Sequence, residues 1–275
     1  MCRCTSLENR LMKPNRPRQH PKQADPAFRN RRQASAGLVR IYGIHAAKAA
    51  LANPRRNIRA IHATANAAQG LAELRRGKGP AIHTVTPKDL DRILGETTVH
   101  QGILVEADPL PEPDMDALGN ARLVLVLDQI TDPHNVGAIL RSAAAFGVEA
   151  LVMTARHSPP LNGTLAKTAC GGLEHVPVVL PPNLARALHA LGEMGFTRVG
   201  LDSGGGAAFE DVSAPERLAL VLGAEDRGLR RLTAENCDMI CALTTCGAIQ
   251  SLNVSNAAAI ALHSTAMKRK GCPGD

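Results

Sequence analysis

Three separated stretches of the chain concentrate polar side chains inside otherwise apolar sequence. Residues 127–147, LDQITDPHNVGAILRSAAAFG, carry Asp132, His134, Asn135 and a single arginine, Arg141. Residues 220–229, LVLGAEDRGL, place Glu225 in a glycine-flanked turn after an apolar run. Residues 248–263, AIQSLNVSNAAAIALH, put Ser251, Asn253 and Ser255 ahead of an alanine-rich segment. A carboxylate in a tight turn, amides and hydroxyls at a helix entrance and one guanidinium could together enclose a small polar ligand. In the first stretch Asp132-Pro133 makes a turn and Asn135 is expected to cap a helix over 136–146. At 100° per residue Val136, Ile139, Leu140, Ala143 and Gly147 share one stripe of that helix, whereas Arg141 lies about 140° from Val136 and off the packing face. Capping accounts for one of Ser251, Asn253 and Ser255, not all three. His134, in the same loop, is a candidate base whose plainer reading is a solvent-facing imidazole.

These stretches need a scaffold that brings them together. The run RLVLVLD (122–128) is continuously apolar, as a strand buried on both faces requires, and EALVMT (149–154), TRVGLDS (197–203) and RLALVLG (217–223) repeat the pattern. Helical segments lie between them, among them NLARALHALGEMG (183–195), with Asn183 as cap and Leu184, Ala187, Leu188 and Leu191 on one stripe. Strands alternating with helices predict a parallel sheet, with ligands at the carboxyl ends of its strands after Asp128, Gly223 and Thr245. Upstream, strands at 38–43, 57–64, 81–85 and 101–107 and helices at 44–53, 66–76 and 87–94 predict a small α/β domain over 38–107. The proline- and acid-rich residues 108–120 between the two read as an exposed linker that lets the small domain move. GLDSGGG (200–206) lacks the spacing of a dinucleotide-binding loop and reads as a flexible loop. Cys237, Cys241 and Cys246 lack ligand spacing, so no metal is expected.

The 275 residues carry a formal charge of +7, unevenly placed. Residues 1–40 hold ten Lys and Arg against Glu8 and Asp25, so the remaining residues are close to neutral. This arm, taken as residues 1–37, has four prolines and little apolar periodicity and is expected to be disordered. It reads either as a solubilising tail or as a polyanion-binding arm, with a transit peptide as a lesser alternative. Without an apolar span or signal-peptide core, and with an odd number of cysteines, the chain is expected to be cytoplasmic with reduced thiols and no membrane partner.

The three polar stretches resemble the three motifs of the SpoU class of SPOUT RNA methyltransferases, in that family's order. DPHNVGAILRSAAAFG is similar to the first, LVLGAEDRGL to the second and SLNVSNAAAIAL to the third. Residues 38–107, with YGIHAAKAAL and HQGILVEA, are similar to the L30e-like substrate-binding domain of the branch that modifies ribosomal RNA. The resemblance implies an α/β trefoil-knot domain over 121–275 and a homodimer. It implies methyl transfer from S-adenosylmethionine to a ribose 2′-hydroxyl, here a guanosine of large-subunit (23S) ribosomal RNA. By position Gly223, Leu243 and Leu252 would hold the cofactor through backbone groups, and Arg141 would be catalytic, supported by Asn135, Glu225, Ser251 and Asn253. Leu243-Thr244-Thr245 departs from the family's usual Ile-Pro-Met. Transfer RNA as substrate, and a non-catalytic assembly factor, are the alternatives.

The charge distribution yields a first expectation. Removing residues 1–36 should weaken RNA binding and flatten the plot of log K against log salt, by roughly 0.7–0.9 for each phosphate that is no longer neutralised. An unchanged slope, measured by filter binding over a salt series, would show that the arm does not touch RNA.

Overall fold

The computed structural model describes residues 37–75, 79–225 and 227–269. The basic arm therefore lies outside the described residues except for Gly37. Described residues from Gly37 onward form one compact unit built from two sheets.

The larger sheet has seven parallel strands: β5 (Leu123–Leu127), β6 (Ala150–Met153), β7 (Val178–Val179), β8 (Thr197–Leu201), β9 (Ala207–Ala208), β10 (Leu218–Leu222) and β11 (Met239–Ala242). Their order is β7-β6-β5-β10-β8-β11-β9, with β5 and β10 central and buried along their whole length. Side-chain alternation divides the strands cleanly between two faces. Val124, Val126, Ala219 and Val221 pack beneath helix α7 (Leu184–Glu193), whose buried Leu184, Ala187, Leu188 and Leu191 form the stripe expected from sequence. Leu125, Leu127, Leu220 and Leu222 face the opposite core, which includes Ile139 and Leu140 of helix α4 (Pro133–Ala145) and Leu262 of helix α9 (Val254–Lys268).

Helix α4 starts earlier than expected, and Asn135 is not its cap. Asp132 caps it, accepting a hydrogen bond from the His134 backbone N–H at 2.9 Å, while Pro133 presets the first helical residue. Asn135 is thus inside the first turn, where its amide is free for a longer-range role.

After β11 the chain returns to α9, which packs against α4. Its C-terminal end is fastened to the segment 202–216: Lys268 Nζ donates to the carbonyls of Phe209 and Val212 at 3.1 and 2.8 Å, and Arg269 donates to that of Pro215 at 2.9 Å.

The smaller sheet orders β1 (Val39–Tyr42), β4 (Ile103–Ala107), β2 (Ile58–Ala63) and β3 (Ile82–Thr84) as β1-β4-β2-β3. One of its faces is covered by helices α1 (Ile44–Ala52) and α2 (Ala65–Arg75), while Leu90 of α3 (Pro87–Leu94) is buried elsewhere in the lobe. The two lobes meet where β1 and α1 touch two short helices, α5 (Gly163–Thr168) and α6 (Gly172–His175). Gly163 is required there, because a Cβ would lie 2.0 Å from the Arg40 carbonyl oxygen. One apolar core continues from Ile41 and Ala47 through Leu165 and Ala169 to Leu125.

A buried ion pair also crosses this junction. Arg56 Nε donates to Glu174 Oε2 at 3.1 Å with both side chains almost fully enclosed, and Asn53 Nδ2 adds a bond to the same oxygen at 2.7 Å. The expected independent motion of the small domain therefore meets a shared core and a buried charge pair. The 108–120 segment is exposed at Pro109 and Pro111 but buries Leu118, whose carbonyl accepts from Arg217 at 2.9 Å.

Breaking one partner of such a pair leaves an uncompensated buried charge. Glu174→Ala should lower unfolding stability by about 3–5 kcal/mol. Glu174→Leu combined with Arg56→Met should cost clearly less than the two single changes together. Urea unfolding provides the measurement, and a single-variant cost below about 1 kcal/mol would show that the lobes do not depend on the pair.

Candidate active site

The carboxyl edge of the large sheet holds a pocket of about 330 Å³. It is lined by the ends of three strands, with Leu201 the last residue of β8, Leu222 and Gly223 at the end of β10, and Leu243 just after β11. Glu225, Ser251 and Leu252 form its polar and apolar rim. All three residues expected to hold the cofactor, Gly223, Leu243 and Leu252, therefore line one cavity.

The backbone closes tightly around this cavity. A Cβ on Gly223 would lie 2.2 Å from the Gly228 backbone, so no larger residue fits where the two limbs of the turn meet. Gly228 has φ of 61°, and a side chain there would strike the Asp202 carboxylate at 2.1 Å. Asp202 staples the turn from the other side, accepting from the backbone N–H of Leu229 at 3.2 Å and of Gly204 at 3.0 Å. Residues 200–206 are thus part of the site wall, through Asp202 and Ser203, and not merely a flexible loop. That contribution is within reach of the sequence, because 197–203 reads as a strand and its carboxyl end belongs to the same edge.

Beside the pocket the three polar stretches converge on one carboxylate oxygen. Glu225 Oε1 accepts from Asn135 Nδ2 at 2.9 Å, from Asn253 Nδ2, and from the Val254 backbone N–H at 3.2 Å. Asn253 Nδ2 also donates to Asn135 Oδ1 at 3.0 Å. Asn253 caps α9 at the same time, its Oδ1 accepting from the Ser255 N–H at 2.9 Å and from the Ser255 hydroxyl. Ser255 is therefore committed to the cap, while Ser251 sits exposed on the pocket rim. Charge-assisted bonds of this kind are stronger than neutral ones and fix geometry as well as register.

Arg141 lies apart from this cluster. It is six residues beyond Asn135, about 9 Å further along the helix axis, on the exposed side of α4 and outside the pocket lining. Among the described residues no hydrogen bond or ion pair holds its guanidinium, and the same is true of the exposed His134 imidazole.

The departure at 243–245 has a structural consequence. Thr244, where the family usually has proline, donates both its N–H, at 3.2 Å, and its hydroxyl, at 2.9 Å, to the Glu210 carboxylate. Proline has neither donor. Burial would raise the Glu210 carboxyl, but hydrogen bonds from its own backbone and from Thr244, with the charge of Lys268, hold it below the usual range. Leu243 and Thr245 flank this clamp and both line the pocket. Burial pushes the nearby Cys237 thiol up to about 11, so it stays protonated and donates to the Thr233 carbonyl.

A cavity of this size is in the range of small-molecule sites. Leucine side chains beside exposed backbone suit a flat apolar base, and the carboxylates of Glu225 and Asp202 suit a cationic centre. The donor set therefore fits S-adenosylmethionine.

Residues 122–263 match the SpoU rRNA methylase family, and residues 40–113 match the domain described as RNA 2′-O ribose methyltransferase substrate binding. The 23S rRNA (guanosine-2′-O-)-methyltransferase RlmB of Bordetella pertussis is 35% identical over 238 residues, covering 83% of this chain and 97% of that protein. The RlmB of Vibrio parahaemolyticus is 40% identical over 242 residues, covering 83% of this chain and 96% of its own. Among solved structures, the SpoU methyltransferase AviRb of Streptomyces viridochromogenes, in complex with AdoMet, superposes with a TM-score of 0.73 at 23% identity over 90% of this chain and 94% of that one, a likeness of fold. With its parallel sheet, three polar stretches that meet at one carboxylate and relatives matched over most of their length, the chain belongs to the SpoU rRNA methylase family.

Proposed function

We propose that the protein transfers a methyl group from S-adenosylmethionine to the ribose 2′-hydroxyl of a guanosine in 23S ribosomal RNA. The observation that carries this reading is the convergence of Asn135, Glu225 and Asn253 at the lip of a pocket lined by Gly223, Leu243 and Leu252. The naming of the RlmB relatives, similar over most of their length, supplies the RNA and the base.

S-adenosylmethionine supplies an electrophilic methyl on a sulfonium. Gly223, Leu243 and Leu252 hold it through backbone groups and apolar contact. Asn135, Glu225, Ser251 and Asn253 would orient the incoming ribose, and orientation of this kind can contribute roughly 7–11 kcal/mol to lowering a barrier. Arg141, free of internal partners among the described residues, binds the substrate phosphate and stabilises negative charge developing on the oxygen. A permanently charged guanidinium is better suited to that role than to removing a proton.

The small lobe, residues 38–107, serves as the RNA-binding part, joined to the catalytic part, 121–275, by residues 108–120. With one Tyr, four Phe and no Trp in the chain, it recognises RNA through shape and phosphates more than by stacking. The protein works as a homodimer. Ile260 and Met267 on α9, 45% and 70% exposed, give a second copy an apolar surface beside α4.

Mapping 2′-O-methyl groups in 23S RNA from cells with and without the protein tests the substrate, with loss of one guanosine signal expected. Arg141 has its own test. Arg141→Ala should leave stability within about 0.5 kcal/mol and AdoMet affinity near normal, while single-turnover methylation falls about 10²–10³-fold. Arg141→Lys should recover little, because an ammonium lacks the planar fork. An alanine variant retaining most of its rate would remove Arg141 from the reaction and turn attention to His134.

A further inference from the structure

A second concave site lies on the same edge of the sheet, on the other side of β5. It has a volume of about 460 Å³ and is lined by Arg156, His157, Asn183, Arg230 and Arg231, with Leu232 and Thr233 on one wall. Among the described residues no acidic side chain lines it. Arg156 and His157 sit in the exposed single turn Ala155–His157 directly after β6, and among the described residues neither side chain has a hydrogen bond or ion pair.

The two other arginines are held in different ways. Arg230 is anchored from below, its Nε donating to the buried Asp128 carboxylate at 2.6 Å and its backbone N–H to the other oxygen of that group at 3.1 Å. That bond fixes the guanidinium and leaves its two terminal nitrogens available. Arg231 pairs with Glu235 four residues on at 2.9 Å, an exposed contact of small energetic weight that an incoming anion can replace. Three guanidiniums and an imidazole around one groove outnumber the buried Asp128 beneath and Glu235 at the exposed margin, and this excess of positive charge attracts anions.

The position of the groove identifies which anion. The turn that begins at Gly223 in the cofactor pocket ends at Arg230 in this groove, so one short segment serves both sites. The five-residue step from Glu225 to Arg230 spans at most about 18 Å when extended. The groove therefore lies within a few nucleotides of the ribose that Glu225 and Asn135 would orient.

We propose that this groove, formed by Arg156, His157, Arg230 and Arg231, binds the phosphodiester backbone of the substrate RNA next to the methylated nucleotide. The proposal rests on the methyltransferase reading above and adds to it the path of the strand away from the reacting ribose. Arginine forks match phosphate oxygens bidentately, and contacts of this type set register without reading base identity.

The test uses the full-length protein, unmodified 23S RNA transcribed in vitro, and the variants Arg156→Gln and Arg156→Gln/Arg231→Gln. AdoMet affinity by calorimetry should be unchanged. RNA affinity should fall roughly tenfold for the single variant and further for the double, with the salt slope reduced by roughly 0.7–0.9 for each phosphate left without its arginine. The KM for RNA should rise in parallel, and Arg156→Lys should keep the salt slope near wild type while restoring only part of the affinity, because an ammonium meets phosphate as a point charge without the fork. Unchanged RNA affinity and salt slope in the double variant, with wild-type methylation intact, would overturn the groove alone. Absence of methylation by the wild-type protein would instead overturn the functional reading on which it rests.

Discussion

Glu225 Oε1 accepts hydrogen bonds from three donors on two other segments of the chain, and the architecture of the site follows from that one atom. Asn135 belongs to the helix after β5, Glu225 to the turn after β10, and Asn253 and Val254 to the entrance of the last helix, after β11. These segments are far apart in sequence and are adjacent only because the parallel sheet ends all three strands at one edge. A lone exposed carboxylate gains little from solvent-screened contacts, but one that organises two amides and a helix N-terminus fixes the entry angle of α9 and the shape of the cavity beside it. The second oxygen of Glu225 takes part in none of these three bonds and remains for a ligand.

The cavity owes its tightness to backbone. Gly223 and Gly228 allow the two limbs of the turn to touch, and Asp202 closes the remaining side by accepting from two backbone N–H groups. Glu210 then clamps Thr244 just after β11, tying that strand's exit to the segment 202–216. Leu243 and Leu252, which line the pocket, stand on either side of a segment held at Thr244 and at Asn253. Packing across the lobe junction, through Gly163 and the Arg56–Glu174 pair, ties the small sheet to this same body.

Much of this is legible in the sequence, and what is not has physical causes. Continuous apolar runs mark the central strands because strands covered on both faces have no polar side, and the stripe of 183–195 marks α7 because a helix packed on one face keeps its apolar residues there. The three motifs locate the site because their polar residues exceed what capping alone uses. Asn135 looks like a cap although Asp132-Pro133 is itself a complete helix start, and local rules cannot rank the two candidates. The short helices 163–168 and 172–175 carry glycines and no periodicity, so nothing local announces them. They are specified by close approach to Arg40 and Ala49, more than a hundred residues away. The mobility expected of residues 108–120 follows from composition and overlooks Arg56, whose buried partner lies 118 residues on. The strand pattern of 197–203 puts Asp202 at the right edge of the sheet, but its particular bonds to the turn are defined by Gly228 and Leu229, which meet it only in the fold.

Asn135 and Glu225, joined by a hydrogen bond of 2.9 Å, act as one unit in shaping the cofactor cavity beside them. This joint action is tested most directly by a double-mutant cycle on AdoMet affinity, with Asn135→Ala, Glu225→Ala and the pair compared by calorimetry. Each single change is expected to weaken binding, and the double variant to be little worse than Glu225→Ala alone, giving a coupling of about 0.5–3 kcal/mol. Strictly additive effects, or a folded Glu225→Ala protein that binds AdoMet as tightly as wild type, would contradict it.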